Sequence, residues 1–270
     1  SIDWNAYLGT AYDDHAGQVV ETSDGGFLII GDKYNIETGH NDIWLIKTNS
    51  QGDSLWTETY GDDDSDYGAD ILAHENGGFI ILGTTKSFGT GGKDIWLIKI
   101  DADGNEEWNK TYGDGSDDIG QSIIMTYDNG FLIRYVIQSY GQGNTSVGLL
   151  RLSANGDQLW TRTIGGSNGI SGSSLKRIGD DEYIMVCSLF DNGENTYDIY
   201  AIKINDSGDI LWDETFGSKE NDLGMGIIET LDNGFAIIGS TNNFGNGNKN
   251  SSDVWFMKTN SDGFTTNFEF

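Results

Sequence analysis

The tryptophans of this chain fall on a grid. The phrases "WNAYLG", "WTETYG", "WNKTYG", "WTRTIG" and "WDETFG" begin at Trp4, Trp56, Trp108, Trp160 and Trp212, each 52 residues after the last. A chain that repeats at one period folds as copies of one small unit, because each copy alone leaves apolar faces that only its neighbours can cover. Inside each copy the same phrases recur in order, and the second copy reads "YGADILAHE", "NGGFIILGTT", "KDIWLIKID" and "ADGNEEWNKTYG". These are four β-branched, apolar runs of strand length. Gly, Asn and Asp separate them, and "SDGG", "YDNG" and "LDNG" supply the positive φ that tight hairpins require. No run keeps a helical apolar period over three turns, and proline is absent. The pattern predicts an all-β chain, a five-bladed β-propeller of four-stranded antiparallel blades with a 52-residue repeat.

Named A to D from the innermost outward, strand A occurs five times, near residues 15–22, 67–74, 119–126, 171–178 and 223–230. One domain over residues 1–270 therefore divides into blades at about 9–60, 61–112, 113–164, 165–216 and 217–270, with residues 1–8 an extra outer strand that closes the ring. Strand D is counted at residues 2–8, 54–60, 106–112, 158–164 and 210–216, and the chain then ends on "FTTNFEF", which reads as a sixth. In that tail Phe264, Thr266, Phe268 and Phe270 alternate onto one face. It can complete blade five, lie outside its own blade, or add to the sheet of another molecule. Trp4, Tyr7, Phe264, Phe268 and Phe270 are thus the candidate assembly residues. Head-to-tail donation of a spare strand would build a filament.

The string "DGGFLIIG...NDIWLIKTNSQGDSLWTETYG" resembles the repeats of about fifty residues in secreted and cell-surface propellers of bacteria and archaea. More loosely it is similar to the Asp-x-x-Gly-x-x-x-Trp phrase of quinoprotein-type blades. The resemblance covers nearly the whole chain. It implies a propeller and an extracellular or cell-surface location.

Charge narrows the partners. Fifteen Lys and Arg face 43 Asp and Glu, a net charge of -28, which repels nucleic acid and anionic membrane surfaces. No stretch approaches the roughly eighteen apolar residues of a bilayer span, so no membrane insertion is expected. The single cysteine, Cys187, allows no internal disulfide and reads as a small buried residue.

In a repeat, a residue found in every blade is first a packing or turn residue, and that is the reading of the strand D tryptophans. Asp14, Asp66, Asp118 and Asp222 stand ten residues after their Trp, while blade four has Ile170 there. Each can cap its own turn. They are also the candidate cation ligands, and calcium is the ion that crowded carboxylates and carbonyls in "GDDDSD" and "GDGSDD" would suit. No other cofactor is expected. Phe88, Tyr140 and Phe244 occupy matching B-to-C loops, where rim aromatics could stack on a glycan. Asn109, Asn144, Asn205 and Asn250 open Asn-x-Ser/Thr triplets, the glycosylation candidates.

Departures from the repeat are fewer. Asp70 and His74 occur only in blade two, Arg177 in blade four stands where blade five has Glu229, and blade three carries Arg134, Tyr135 and a Gly148 that replaces an aromatic of strand C. These suggest an Arg177–Glu229 ion pair and a cavity or contact surface in blade three. The function expected is a non-catalytic extracellular structural module that partners itself, with no enzyme activity. A glycan-binding lectin and a glycoside-processing enzyme are the competing readings.

Overall fold

The computed structural model describes residues 4–74, 77–138, 145–165, 170–242 and 251–265. They form nineteen strands and no helix, in five antiparallel meanders that are the blades of a five-bladed β-propeller. Blade one is β1 (Asp14–Glu21), β2 (Phe27–Asn35), β3 (His40–Thr48) and β4 (Ser54–Tyr60), and blade two is β5 (Asp66–Ala73), β6 (Phe79–Thr85), β7 (Asp94–Ile100) and β8 (Glu106–Tyr112). Blade three is β9 (Asp117–Met125), β10 (Phe131–Gln138), β11 (Thr145–Leu152) and β12 (Gln158–Ile164). Blade four is β13 (Ile170–Ile178), β14 (Glu182–Asp191), β15 (Thr196–Asn205) and β16 (Ile210–Phe216). Blade five has three strands among the described residues, β17 (Asp222–Glu229), β18 (Phe235–Thr241) and β19 (Asp253–Thr259). Two compact units, Ser1–Ile123 and Ile124–Phe270, divide the chain. With no helix present, none is long and apolar enough to cross a membrane among the described residues.

The middle strands of a blade are covered on both faces, so their sequences are continuous apolar runs. All seven residues of β6, "FIILGTT", are buried. In the first unit Leu28, Ile30, Ile43 and Leu45 of blade one pack with Ile71, Ile81, Trp96 and Ile98 of blade two in one core. In the second unit one such cluster gathers around Leu132, Tyr183 and Ile202 and another around Ile184, Ile199 and Ile237. The innermost strands of blades one, two, four and five are each bulged at one place: between Ala16 and Gln18, Gly68 and Asp70, Gly172 and Ser174, and Gly224 and Gly226. The extra residue re-aims the side chains that follow it.

Trp56, Trp160 and Trp212 each lie on the C-to-D turn of the next blade. That turn needs a glycine at positive φ, and a Cβ on Gly104 (φ 89) would stand 3.0 Å from the Trp56 ring. The second unit repeats the contact with Trp160 on Gly208 and Trp212 on Gly263, and the indole N–H groups donate to the carbonyls of Asp206 (2.9 Å) and Ser261 (3.1 Å). Trp4 takes the same seat on Gly52, with its ring 6.0 Å from that of Phe27.

Two expectations are corrected here. Residues 4–10 carry no strand, so the described outer strands number four, β4, β8, β12 and β16, and the sum of six does not hold. Trp4 keeps its packing contact because that contact needs a ring on a turn, not a ladder of backbone hydrogen bonds. Phe268 and Phe270 lie outside the described residues, Phe264 sits past the last turn with over half its surface exposed, and Tyr7 is almost fully exposed. Blade three, in turn, holds no vacancy at Gly148. Gly148 pairs across the ladder with Tyr135, whose ring occupies the space a side chain there would take. Blades one and two build the same pair the other way round, Gly31 with Trp44 and Gly83 with Trp96.

Candidate functional site

A cavity of about 390 Å³ opens in the first unit between β5 and β9, lined by Tyr67, Gly68, Ala69, Thr84, Lys93, Ile119, Gly120 and Gln121. Its position follows from the inner strands. Gly68 and Gly120 bring the two backbones close to their neighbours, and the Thr84 hydroxyl accepts the Gly120 N–H at 3.0 Å. The Lys93 ammonium stands 5.8 Å from the centre of the Tyr67 ring. Asp70 follows Ala69 in the chain, its two oxygens accepting the N–H groups of Ile71 (2.9 Å) and of Ile123 (3.0 Å) on the facing strand. Tyr67, Lys93, Gln121 and Asp70 have no repeat in the other blades: the matching positions read His15, Asn41, Gly17 and Gln18 in blade one and Leu223, Ser252, Met225 and Gly226 in blade five. A volume of this size, with Tyr67, Thr84, Lys93 and Gln121 as the polar groups of its wall, suits one small ligand.

The predicted Asp14, Asp66, Asp118 and Asp222 do cap their turns. Each accepts the backbone N–H four residues earlier: Thr10 (2.5 Å), Asp62 (3.3 Å), Asp114 (3.0 Å) and Ser218 (2.7 Å). Three of them also face a second carboxylate that the sequence reading passed over. Asp42, Asp94 and Asp198 sit at the head of strand C in the preceding blade, in "NDIW", "KDIW" and "YDIY". A Cβ on Gly61 would stand within 2.9 Å of carboxylate oxygens of both Asp42 and Asp66, and one on Gly113 within 3.0 Å of oxygens of both Asp94 and Asp118. In the second unit Asp198 crowds Gly217 in the same way, and the charge of Asp222 acts on it.

Burial raises Asp42, Asp94 and Asp198 above the ordinary carboxylate range, and neighbouring carboxylates push in the same direction. Asp118 is pushed up to about 6, first by burial and then by the charges of Asp114, Asp94 and Asp117, against the hydrogen bond from the Asp114 amide. Among the described residues four buried carboxylate oxygens lack any hydrogen-bond partner: the Oδ1 atoms of Asp42, Asp66, Asp198 and Asp222. The signal that could have found the partners was the same repeat, read down the strand C column. Among the described residues no group of three or more His, Cys, Asp and Glu side chains gathers as a metal set.

The remaining candidates are scattered. Phe88 packs on Trp96, with ring centres 4.9 Å apart, and Tyr140 and Phe244 lie outside the described residues. Asn109 accepts the Trp96 indole N–H at 3.2 Å and donates to Glu106 at 2.6 Å, Asn205 accepts the Asp209 amide at 2.8 Å, and Asn144 and Asn250 lie outside the described residues. Arg177 and Glu229 form no ion pair. Basic residues pair down a different column, Lys47 with Asp24, Lys99 with Glu107, Arg151 with Asp128 and Asp206, Lys203 with Glu182 and Lys258 with Asp232.

No family model and no curated protein matches the sequence. Solved structures do match the fold. The chain is similar to an acylaminoacyl peptidase from Pyrococcus horikoshii (11% identity, TM-score 0.51, 90% of this chain and 38% of that one). It is also similar to a family-GH43 β-1,3-galactosidase (13%, TM-score 0.49, 94% and 58%) and to an endo-arabinase from Bacteroides thetaiotaomicron VPI-5482 (13%, TM-score 0.46, 93% and 94%). The fold is that of a β-propeller repeat protein. The expectation of a non-catalytic structural module without enzyme activity is corrected on these matches: the solved propellers that the chain is similar to are, by their descriptions, enzymes, and the spare outer strand that motivated self-assembly is not formed at residues 4–10.

Proposed function

We propose that the chain is a glycan-processing enzyme of the β-propeller kind, working outside the cell, with its sugar in the cavity between β5 and β9. One observation carries the reading. Side chains that occur once in a fivefold repeat, Tyr67, Lys93 and Gln121, line one cavity, with the equally unrepeated Asp70 next in the chain to Ala69 of its wall, and chemistry needs a site placed once. The Tyr67 ring offers a face for a sugar ring, while Lys93 and Gln121 offer donors to its hydroxyls. Asp70 is the acid assigned to proton transfer. Asp94 and Asp118 are not assigned to the reaction, although they lie close together, because the same pair is built twice more and both are almost fully buried.

The names of the solved neighbours, galactosidase and arabinase among them, agree with a glycan substrate. Phe88 packs on Trp96, the reading that a rim aromatic serves its neighbouring strand, and this weakens the lectin alternative. The test is turnover on a panel of aryl glycosides and plant and microbial polysaccharides. Cleavage should fall about 10²-fold or more in Asp70→Asn, and Lys93→Ala should raise KM. A panel without turnover, or full activity in Asp70→Asn, would sink the assignment.

A further inference from the structure

The facing carboxylates are repeated, buried and incompletely bonded, and none of this is needed for the cavity between β5 and β9. Asp66 and Asp222 are fully buried, Asp42 is 4% exposed, and each spends one oxygen on the protein. Asp42 accepts from Asn35 at 3.0 Å, and Asp66 from Ser87 at 2.7 Å. The other oxygen of each has nothing. A buried carboxylate oxygen without a donor is costly, and two facing carboxylates add repulsion to that cost. Turn capping alone does not account for the arrangement. One carboxylate per turn would suffice for it, as Asp14 shows by taking the Thr10 amide and hydroxyl.

We propose that the Asp42–Asp66 pair in the first unit and the Asp198–Asp222 pair in the second each hold a hard divalent cation, calcium being the fitting one, between successive blades. The chemistry of the donors selects the ion. The unpartnered atoms of each pair are carboxylate oxygens, and hard oxygen donors favour calcium over zinc or copper. Two carboxylates neutralise the ion, and backbone carbonyls and water complete a shell that needs six to eight oxygens. Two charged ligands per site place the affinity on the order of 10⁻⁴–10⁻³ M, the range of extracellular modules. Asp94 and Asp118 repeat the geometry as a third site, with Asp114 and Asp117 adding charge. Blade three to blade four breaks the series, since Ser146 and Ile170 replace both carboxylates.

The test is thermal unfolding of the full chain, freed of metal by chelation, with calcium added near neutral pH in ~0.15 M NaCl to screen the surface. Calcium should raise Tm by roughly 5 °C in a saturable way. The isosteric changes Asp66→Asn and Asp222→Asn should each remove part of the rise, whereas Asp14→Asn should leave it intact. Titration calorimetry on the unaltered chain gives a second readout should a variant not fold, with at least two saturable sites expected. Three results overturn the proposal: a Tm insensitive to calcium, a rise that survives the paired variants, or calorimetry without saturable binding. The first, joined to a rise on acidification, would mean that each pair shares a proton.

Discussion

At the scale of single residues, the cross-strand pair Tyr135 and Gly148 is the clearest case of sequence logic that spacing alone conceals. One large and one small residue share each such pair: Gly31 with Trp44, Gly83 with Trp96, Cys187 with Tyr200, and Gly239 with Trp255. Blade three inverts the order. Gly148→Trp should therefore cost about 3 kcal/mol by overpacking against Tyr135 and Tyr135→Gly a similar amount through the void it leaves, while the double variant should recover most of the loss in denaturant midpoints. The sequence shows Gly148 as a missing aromatic. That the aromatic had moved to the facing strand needs the register, which no single strand carries. Cys187 belongs at this scale too. Burial pushes its thiol up to about 12, the nearby Arg134 charge opposing only weakly, so a disulfide reagent should leave the native thiol untouched and modify it on unfolding.

At the scale of strands and turns, the basic residue next to the end of strand C recurs in every blade as Lys47, Lys99, Arg151, Lys203 and Lys258. Its partner varies with the A-to-B turn. "TSDGG", "TYDNG" and "TLDNG" put Asp24, Asp128 and Asp232 in reach, whereas Lys203 turns to Glu182. Arg151 is 1% exposed and bonds Asp128 at 2.7 Å and Asp206 at 2.9 Å, with the Tyr183 hydroxyl also donating to Asp206 at 2.6 Å. Arg151→Ala should cost about 3 kcal/mol, and Arg151→Lys less, because lysine serves the same column elsewhere. Burial works to raise Asp128, but hydrogen bonds from Thr126 and Arg151 outweigh it and leave the carboxyl below its ordinary range. A lowered carboxyl adds stability above the unfolded pKa of about 4 and loses it as pH falls further, so this cluster should fail in acid, seen as a steeper loss of Tm below about pH 4 in the unaltered chain than in Asp128→Asn. Hairpin signals and strand runs were legible here from local chemistry. The absence of a strand at residues 4–10 was not, because whether a terminal segment pairs depends on an edge elsewhere in the chain.

At the scale of the whole molecule, the repeat fixed the fold class, while the site was legible only where copies differ. Asp70 is noticeable as a carboxylate found in one blade, but Tyr67, Lys93 and Gln121 draw attention only once β5 and β9 are seen side by side. Asp42, Asp94 and Asp198 were missed for the opposite reason, since residues present in most copies pass for scaffold. The charge of -28 and the raised carboxyls act together on pH dependence. Asp118 binds its proton more tightly folded (about 6) than unfolded (3.8), so stability rises as pH falls from about 6 towards 4 and is lowest on this account above 6. The carboxylates around it, Asp94, Asp114 and Asp117, push the same way. Without calcium, Tm should peak in mild acid near pH 5 and decline on either side, and Asp118→Asn should flatten the alkaline limb.

The seat of Trp56, Trp160 and Trp212 on the next copy's glycine turn has an evolutionary corollary. A duplicated stretch of 52 residues carries both halves of that contact, the ring it will lay down and the turn that will receive one. Blade number can therefore drift by whole copies in a lineage of such chains without any new interaction having to be invented.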